Sequence, residues 1–305
     1  MSTRTSLLAI AAGLLGTAAL ATAQQAMSLP ENATPVKVSD HVYAIMGFPN
    51  IGFVVGERGT LVVDTGLGER NGAIVVREAQ KLAKGPNLYL TTTHFHPEHA
   101  LGEQAFPPRT VIIRDAVQQK EMEQHGMEMA NLFRGFSPEA KELLKDVKVR
   151  TPDIVFDREM TLDLGGVTAR LFWMGTAHTE GDEMIFVNPD SVLLSGDIVM
   201  NKVAPSLPGD KSSVQNWIDI LAKLEPLKPR IVVPDHFEIG DGSIIPAEHD
   251  MLLDLQQHAI ALKRQGKSED EAAKTVTDYF KMKYPDWRTM GAVANIVKRT
   301  YAESK

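Results

Sequence analysis

From residue 36 onward the chain alternates short apolar blocks with turn residues. The blocks at 36–38, 42–45, 51–55 and 60–63 are parted by pairs such as Ser39-Asp40 and by Glu57-Arg58-Gly59, which predicts four short strands. Ile74, Val75, Ala79 and Leu82 then recur at helical spacing, predicting a helix over 71–84 with one buried face. "LYLTTT" reads as the next strand and "TVIIR" as another, followed by a helical stretch from about 116 to 145. Between 153 and 199 the strand pattern repeats in "DIVF", "MTLDL", "VTARLFWM", "EMIFVNP" and "SVLLSGDIV". A helix over 214–224 and the strand "RIVVP" complete this half, and after 245 the chain reads as helical to its end. Two successive β-then-α halves predict an α/β fold in which sheets form a sandwich covered by helices. No repeat, low-complexity tract or linker interrupts the pattern, so 24–305 is expected to be one domain with a helical C-terminal extension from about 246.

The first 23 residues stand apart. Arg4, an apolar run from Leu7 to about Leu20 and the small-x-small end Ala21-Thr22-Ala23 have the form of a secretory leader cut before Gln24. The apolar run is shorter than the roughly 20 residues a membrane span needs, and no later segment is long and apolar enough. The expected address is therefore periplasmic or secreted, with no integral membrane span. Losing a leader that carries Arg4 and no acid takes the net charge from −7 to −8. So acidic a chain is poorly suited to a phosphate backbone, which argues against nucleic acid as partner and for a small-molecule substrate. There is no cysteine. Disulfides and a thiol nucleophile are excluded, and any zinc must be held by histidine and carboxylate.

Those donors are present and clustered. "TTTHFHPEHALGE" places His94, His96, Glu98 and His99 within six residues at the end of an apolar strand. A His-rich surface loop would look the same in isolation, but further donors also stand at strand ends: Asp64 after "TLVV", His178 after "LFWMGTA", Asp197 after "VLLSG" and His236 after "IVVPD". Five of the nine histidines lie at these points, the others being His41, His125, His249 and His258. Residues two apart on a loop can point the same way, so His94 and His96 can share an ion. With His178 they would leave one position of a tetrahedral zinc open, as a catalytic site requires. Glu98, His99 and His236 can serve a second ion, with Asp197 between the two. Two such metals would hold one hydroxide and polarise a substrate oxygen.

The ordered set "LVVDTG", "THFHPEH", "GTAHTEGD", "LLSGDIV" and "VVPDH" resembles the metallo-β-lactamase superfamily over about residues 36–239. The resemblance implies an αββα sandwich with a dinuclear site along one edge. It implies that His94, His96 and His178 hold the first ion, that His99 and His236 hold the second, that Asp197 bridges, and that Asp64 orients ligands from behind. Two zinc ions per chain are expected, and iron or manganese would suit the same ligands. Two positions depart from the pattern or refine it. The family's usual aspartate is replaced by Glu98, whose carboxylate reaches about 1.5 Å further, against a tolerance of about 0.5 Å for groups that touch a metal. Glu98 is thus expected to ligate after adjustment of the loop, or else to act as a base beside a metal-bound water. Asp197 stands where true zinc β-lactamases generally lack an acid. That favours hydrolysis of an ester, lactone or thioester by a metal-bound hydroxide. A periplasmic β-lactamase is the alternative, and an inactive metal-binding protein, a flavodiiron-like oxidoreductase and a single-iron sulfur dioxygenase are more distant ones.

Other residues have plainer expectations. Met122, Met127, Met129, Leu132, Phe133 and Phe136 form either core or a lid over the metals, with Gly126 and Gly135 weakening the helix that carries them. His125 is expected at the surface and Trp173 in the core. Asn201 and Lys202 are within reach of a substrate carbonyl or carboxylate, the plainer expectation for an exposed loop lysine being no special role. The C-terminal helices would pack on the sandwich or on a second subunit, the pattern leaving a homo-oligomer open.

Overall fold

The computed structural model of the protein describes residues 26–207 and 211–304, so the expected leader lies outside the described residues. The strands are β1 (Val36–Lys37), β2 (Val42–Ile45), β3 (Ile51–Val55), β4 (Gly59–Val63), β5 (Asn87–Thr91), β6 (Val111–Asp115), β7 (Ile154–Phe156), β8 (Glu159–Asp163), β9 (Thr168–Trp173), β10 (Glu183–Asn188), β11 (Val192–Leu194) and β12 (Ile231–Val233). The first seven form one sheet in chain order, and the rest form a second in the order β12-β11-β10-β9-β8. β4 and β5 run parallel, as do β11 and β12, so each sheet sends a pair of strand ends the same way.

The alternation of side chains assigns the faces. Ile51, Phe53 and Val55 of β3 and Val62 of β4 pack outward against Ile74, Val75 and Ala79 of helix α1 (Gly68–Leu82). Their neighbours Val54, Leu61 and Val63 turn inward and meet Leu171, Ile185, Val187 and Leu194 of the second sheet. Met184, Phe186, Leu193 and Val232 face outward again. The result is an αββα sandwich. The short α2 (Pro97–Ala100) follows β5, and α3 (Ala116–Arg134) and α4 (Pro138–Leu143) lie between β6 and β7. The second sheet is covered by α5 (Val214–Leu224), α6 (Ile244–Arg264), α7 (Glu269–Lys283) and α8 (Val293–Glu303). The C-terminal helices therefore pack on the sandwich itself.

Three boundaries differ from the sequence reading. α1 begins at Gly68, three residues early, where a positive φ and the close approach of the Leu143 carbonyl leave no room for a Cβ. β5 stops at Thr91, because the Thr93 N–H goes to the Asp64 carboxylate. The 116–145 stretch is two helices. α3 runs unbroken through Gly126 and ends at Gly135, and Ser137 caps α4 by accepting from the Ala140 N–H with Pro138 following it.

Two side chains from the helical layer anchor the turn after β11. Trp217 of α5, fully buried, donates its indole N–H to the Ile198 carbonyl at 2.9 Å. Glu248 of α6 accepts the Met200 N–H at 2.6 Å. Truncating a buried tryptophan of this kind costs about 3–5 kcal/mol.

Candidate metal centre

The chemistry-bearing side chains stand where strands of both sheets end. Asp64 closes β4 with φ of +71°, a left-handed conformation that aspartate tolerates better than most residues. His94 and His96 lie on the loop after β5, and Pro97 starts α2 so that Glu98 and His99 occupy its first turn. His178 sits between β9 and β10, Asp197 in a single 3-10 turn after β11, and His236 just beyond β12. Strand ends hold their loops rigidly while letting several converge.

Convergence is close. His94 Nε2 lies 2.9 Å from His96 Nδ1, and His178 Nε2 lies 3.4 Å from the same nitrogen. His178 donates its Nδ1 proton to the Ser206 carbonyl at 2.7 Å, which leaves the Nε2 lone pair facing the other two rings. Glu98, His99 and His236 form a second group whose donor atoms also lie within 4.8 Å of one another. Asp197 stands between the groups, with Oδ2 3.4 Å from His178 Nε2 and Oδ1 3.4 Å from His236 Nε2. His99 is gripped from behind. Its Nδ1 is 2.9 Å from Asp64 and 3.3 Å from Asp235, and the Thr93 hydroxyl donates to Asp235 at 2.7 Å.

The donor set fits a divalent cation. Glu98 Oε2 and Asp197 Oδ1 are buried without a hydrogen-bond partner, an arrangement that is costly unless positive charge satisfies it. Electrostatics separate the two groups. Burial, reinforced by the neighbouring imidazoles, pushes His94 and His96 well below the ordinary histidine value, and burial also lowers His178 and His236. Burial opposes ionisation of Asp197, yet His236 and His178 hold it down at about 2. Burial raises Glu98 to about 7, and burial together with Asp64 raises Asp235 to about 7. His99 goes the other way, since Asp64 and Asp235 overcome burial and hold it well above the usual imidazole range.

All seven expected ligands thus come together, with Glu98 among them. Asp64 meets the second group at His99 Nδ1, the nitrogen turned away from Glu98, and with His99 and Asp235 it makes a further cluster of buried donors. Asp235 escaped the sequence reading, its one signal being adjacency to His236. The supports of the His178 loop were also missed. Glu121 of α3 accepts the N–H groups of Glu180 and Gly181 at 3.0 and 2.8 Å, and Asp182 accepts both the N–H and hydroxyl of Thr179. Trp173 is half-buried and donates to the Glu180 carbonyl at 2.8 Å, so it too pins that loop. Lys202 is exposed and paired with Asp286 at 2.5 Å, as the plainer reading of a loop lysine has it, and Asn201 reaches the Ile239 carbonyl. His125 has an exposed side chain beside Glu128. In α3, Met122, Ala130 and Phe133 are core, whereas Met127, Leu132 and the following Phe136 are exposed.

Residues 45–236 match the family model described as the metallo-beta-lactamase superfamily. The chain belongs to that superfamily. Solved metallo-β-lactamase folds superpose on it accordingly. A metallo-beta-lactamase from Pontibacter korlensis does so at 18% identity and a TM-score of 0.59, over 72% of this chain and 99% of that one. The DIM-1 metallo-beta-lactamase does so at 17% identity and 0.57, over 74% and 99%. The stereoselective inverting sec-alkylsulfatase from Pseudomonas sp. reaches 0.68 at 14% identity, covering 88% of this chain but 50% of its own. Identities this low speak to the fold alone. No curated protein sequence matches the chain. Among the described residues no helix is long and apolar enough to cross a membrane.

Proposed function

We propose that the protein is an exported, dizinc hydrolase that cleaves the acyl C–O or C–S bond of an ester, lactone or thioester by attack of water at its carbonyl carbon. The observation that carries this reading is the position of Asp197, one oxygen toward His178 and the other toward His236. A carboxylate so placed, ionised at neutral pH, joins two cation sites into one centre. When bound, the ions would supply Lewis acidity and bring a coordinated water towards neutral pKa. The chain's own part is to hold that pair. His94, His96 and His178 take one ion and Glu98, His99 and His236 the other, while Asp64 and Asp235 fix the His99 ring and its tautomer from behind. In this reading Glu98 ligates, since its carboxylate stands in the same cluster as His99 Nε2.

A second reading is hydrolysis of a sulfate ester. It is favoured by the greater share of this chain, 88% against 72% and 74%, that the alkylsulfatase fold covers. Metal quantification on purified protein tests the centre, with about two zinc ions per chain expected. Turnover of lactone, thioester, aryl ester, sulfate ester and cephalosporin substrates then separates the reactions. Exclusive turnover of the sulfate ester or of the cephalosporin would replace the carboxylic-ester reading. Mass spectrometry of the exported protein tests the leader, with Gln24 expected as the first residue.

A further inference from the structure

The ligands are unequally accessible. His99 and His94 are sealed at 0% and 1% exposure, whereas Asp197 and His236 retain 8% and His96 and Glu98 retain 5%. The more accessible side of the cluster is therefore that of His236, Asp197, His96 and Glu98, and aromatic rings stand beside two of these residues. The half-buried Phe48 lies 4.8 Å from the His236 ring, centroid to centroid. Phe133, buried at the end of α3, lies 6.3 Å from the His96 ring and 4.7 Å from Phe136, which is 55% exposed. His96, Phe133 and Phe136 thus make a continuous run of rings from a buried ligand to solvent. An exposed phenylalanine beyond the end of a helix, packed on such a run, gains nothing for the fold by remaining uncovered.

The charge around this side of the cluster is one-sided too. The loops that carry the ligands hold two cations, Lys202 and Lys211, and these are paired with Asp286 and Glu180. Arg288, which approaches the loop after His236, is paired with Glu238, and Arg134 beside the ring run gives two of its N–H groups to the Leu144 carbonyl. Among the described residues Lys202, Lys211 and Arg288 are paired with carboxylates, and Arg134 is turned to the Leu144 carbonyl and the Asn131 side chain.

Building on the hydrolase reading above, we propose that the exposed Phe136 ring, backed by the buried Phe133, is the wall that receives an uncharged hydrocarbon or aryl group joined to the reacting carbonyl. The substrate class is then a neutral apolar ester, lactone or thioester, and Phe136 is a determinant of its specificity.

The test uses hydroxamates, which anchor on the metals whether or not a reaction follows. Binding of acetohydroxamate through octanohydroxamate to the metal-loaded full-length protein is measured by calorimetry. Full burial of a methylene gives about fourfold, so one-sided burial on this wall should tighten binding about twofold per methylene, roughly 60-fold over the series. Phe136→Ala should flatten that slope to under about half. The mono-hydroxamate of succinate, which adds a charge at similar length, should bind the unaltered protein at least about tenfold more weakly than butyrohydroxamate, since its carboxylate would be desolvated without a partner. Affinity independent of chain length, a slope unchanged by Phe136→Ala, or preference for the succinate compound overturns the proposal. A protein that follows the expected slope yet turns over no ester, lactone or thioester supports the wall and overturns the carbonyl reading.

Discussion

The two ligand groups differ in how they stand towards protons. His94, His96 and His178 are imidazoles whose burial keeps them neutral, with lone pairs available at any pH near 7. Glu98, His99 and His236 include a carboxyl raised by burial to about 7 and an imidazole held protonated by two carboxylates behind it. The first group can take a cation without releasing a proton, whereas the second must shed protons to do so. One centre is thus built from a half that is always ready and a half that is conditional on pH. Asp197, ionised down to about 2, stands between them as the fixed charge.

The comparison is broken most severely at the ready half. His178→Ala removes one of three ligands and should abolish both metal retention and hydrolysis, whereas Asp197→Asn should leave about one ion per chain. Two ions retained by the asparagine variant would place the bridge elsewhere. At the conditional half, Glu98→Asp shortens reach by about 1.5 Å, beyond the roughly 0.5 Å such contacts tolerate, so the second ion should be lost or weakened although the family's usual residue is restored. If both ions stay and only kcat falls, by about 10²–10⁴-fold, Glu98 is a base instead.

Asp235→Asn keeps the shape of the side chain that receives the Thr93 hydroxyl but removes the charge behind His99. It should cost the second ion about 10–100-fold in affinity and leave the first unchanged, as read by chelator competition. Loss of both ions in proportion would mark Asp235 as a general support of the fold. The mildest perturbation is pH itself. As pH falls through about 7, Glu98 takes up a proton in the metal-free protein, so affinity for the second ion should fall about tenfold per unit from that group alone. Protonation of His99 pushes the same way. The imidazoles of the first group, lying below the ordinary histidine value, begin to compete only at lower pH. Metal content after dialysis at pH 8 and pH 6 should therefore drop from about two towards one.

Much of this convergence was legible because several of the candidate ligands follow an apolar strand block, and a strand end fixes where a side chain starts. His94, His178, Asp197 and His236 are all of this kind. The strands themselves were legible because runs such as "IGFVV" and "TLVV" suit a sheet buried on both faces. Polar residues inside helices were not legible in the same way. Gln118 and Glu121 look like a solvated face of α3, and only the third dimension turns them onto Thr92 and the loop behind His178. Asp235 was missed for a related reason, since a carboxylate beside a ligand has no periodicity to say which way it points. The break between α3 and α4 was different. Its signals, Gly135 and then Ser137-Pro138, are ordinary stop and start chemistry, but a continuous helical reading outweighed them.

The candidate ligands and the residues behind them also bring together parts of the chain that are far apart in sequence. His96 meets His178 across 82 positions, and Thr93 meets Asp235 across 142. With no cysteine in the chain, cations here would do for the native state what covalent cross-links do elsewhere, joining one sheet's loops to the other's and favouring the folded state through their binding. A bound pair of ions would then be scaffold as well as reagent, and the protein's resistance to heat would follow the supply of metal.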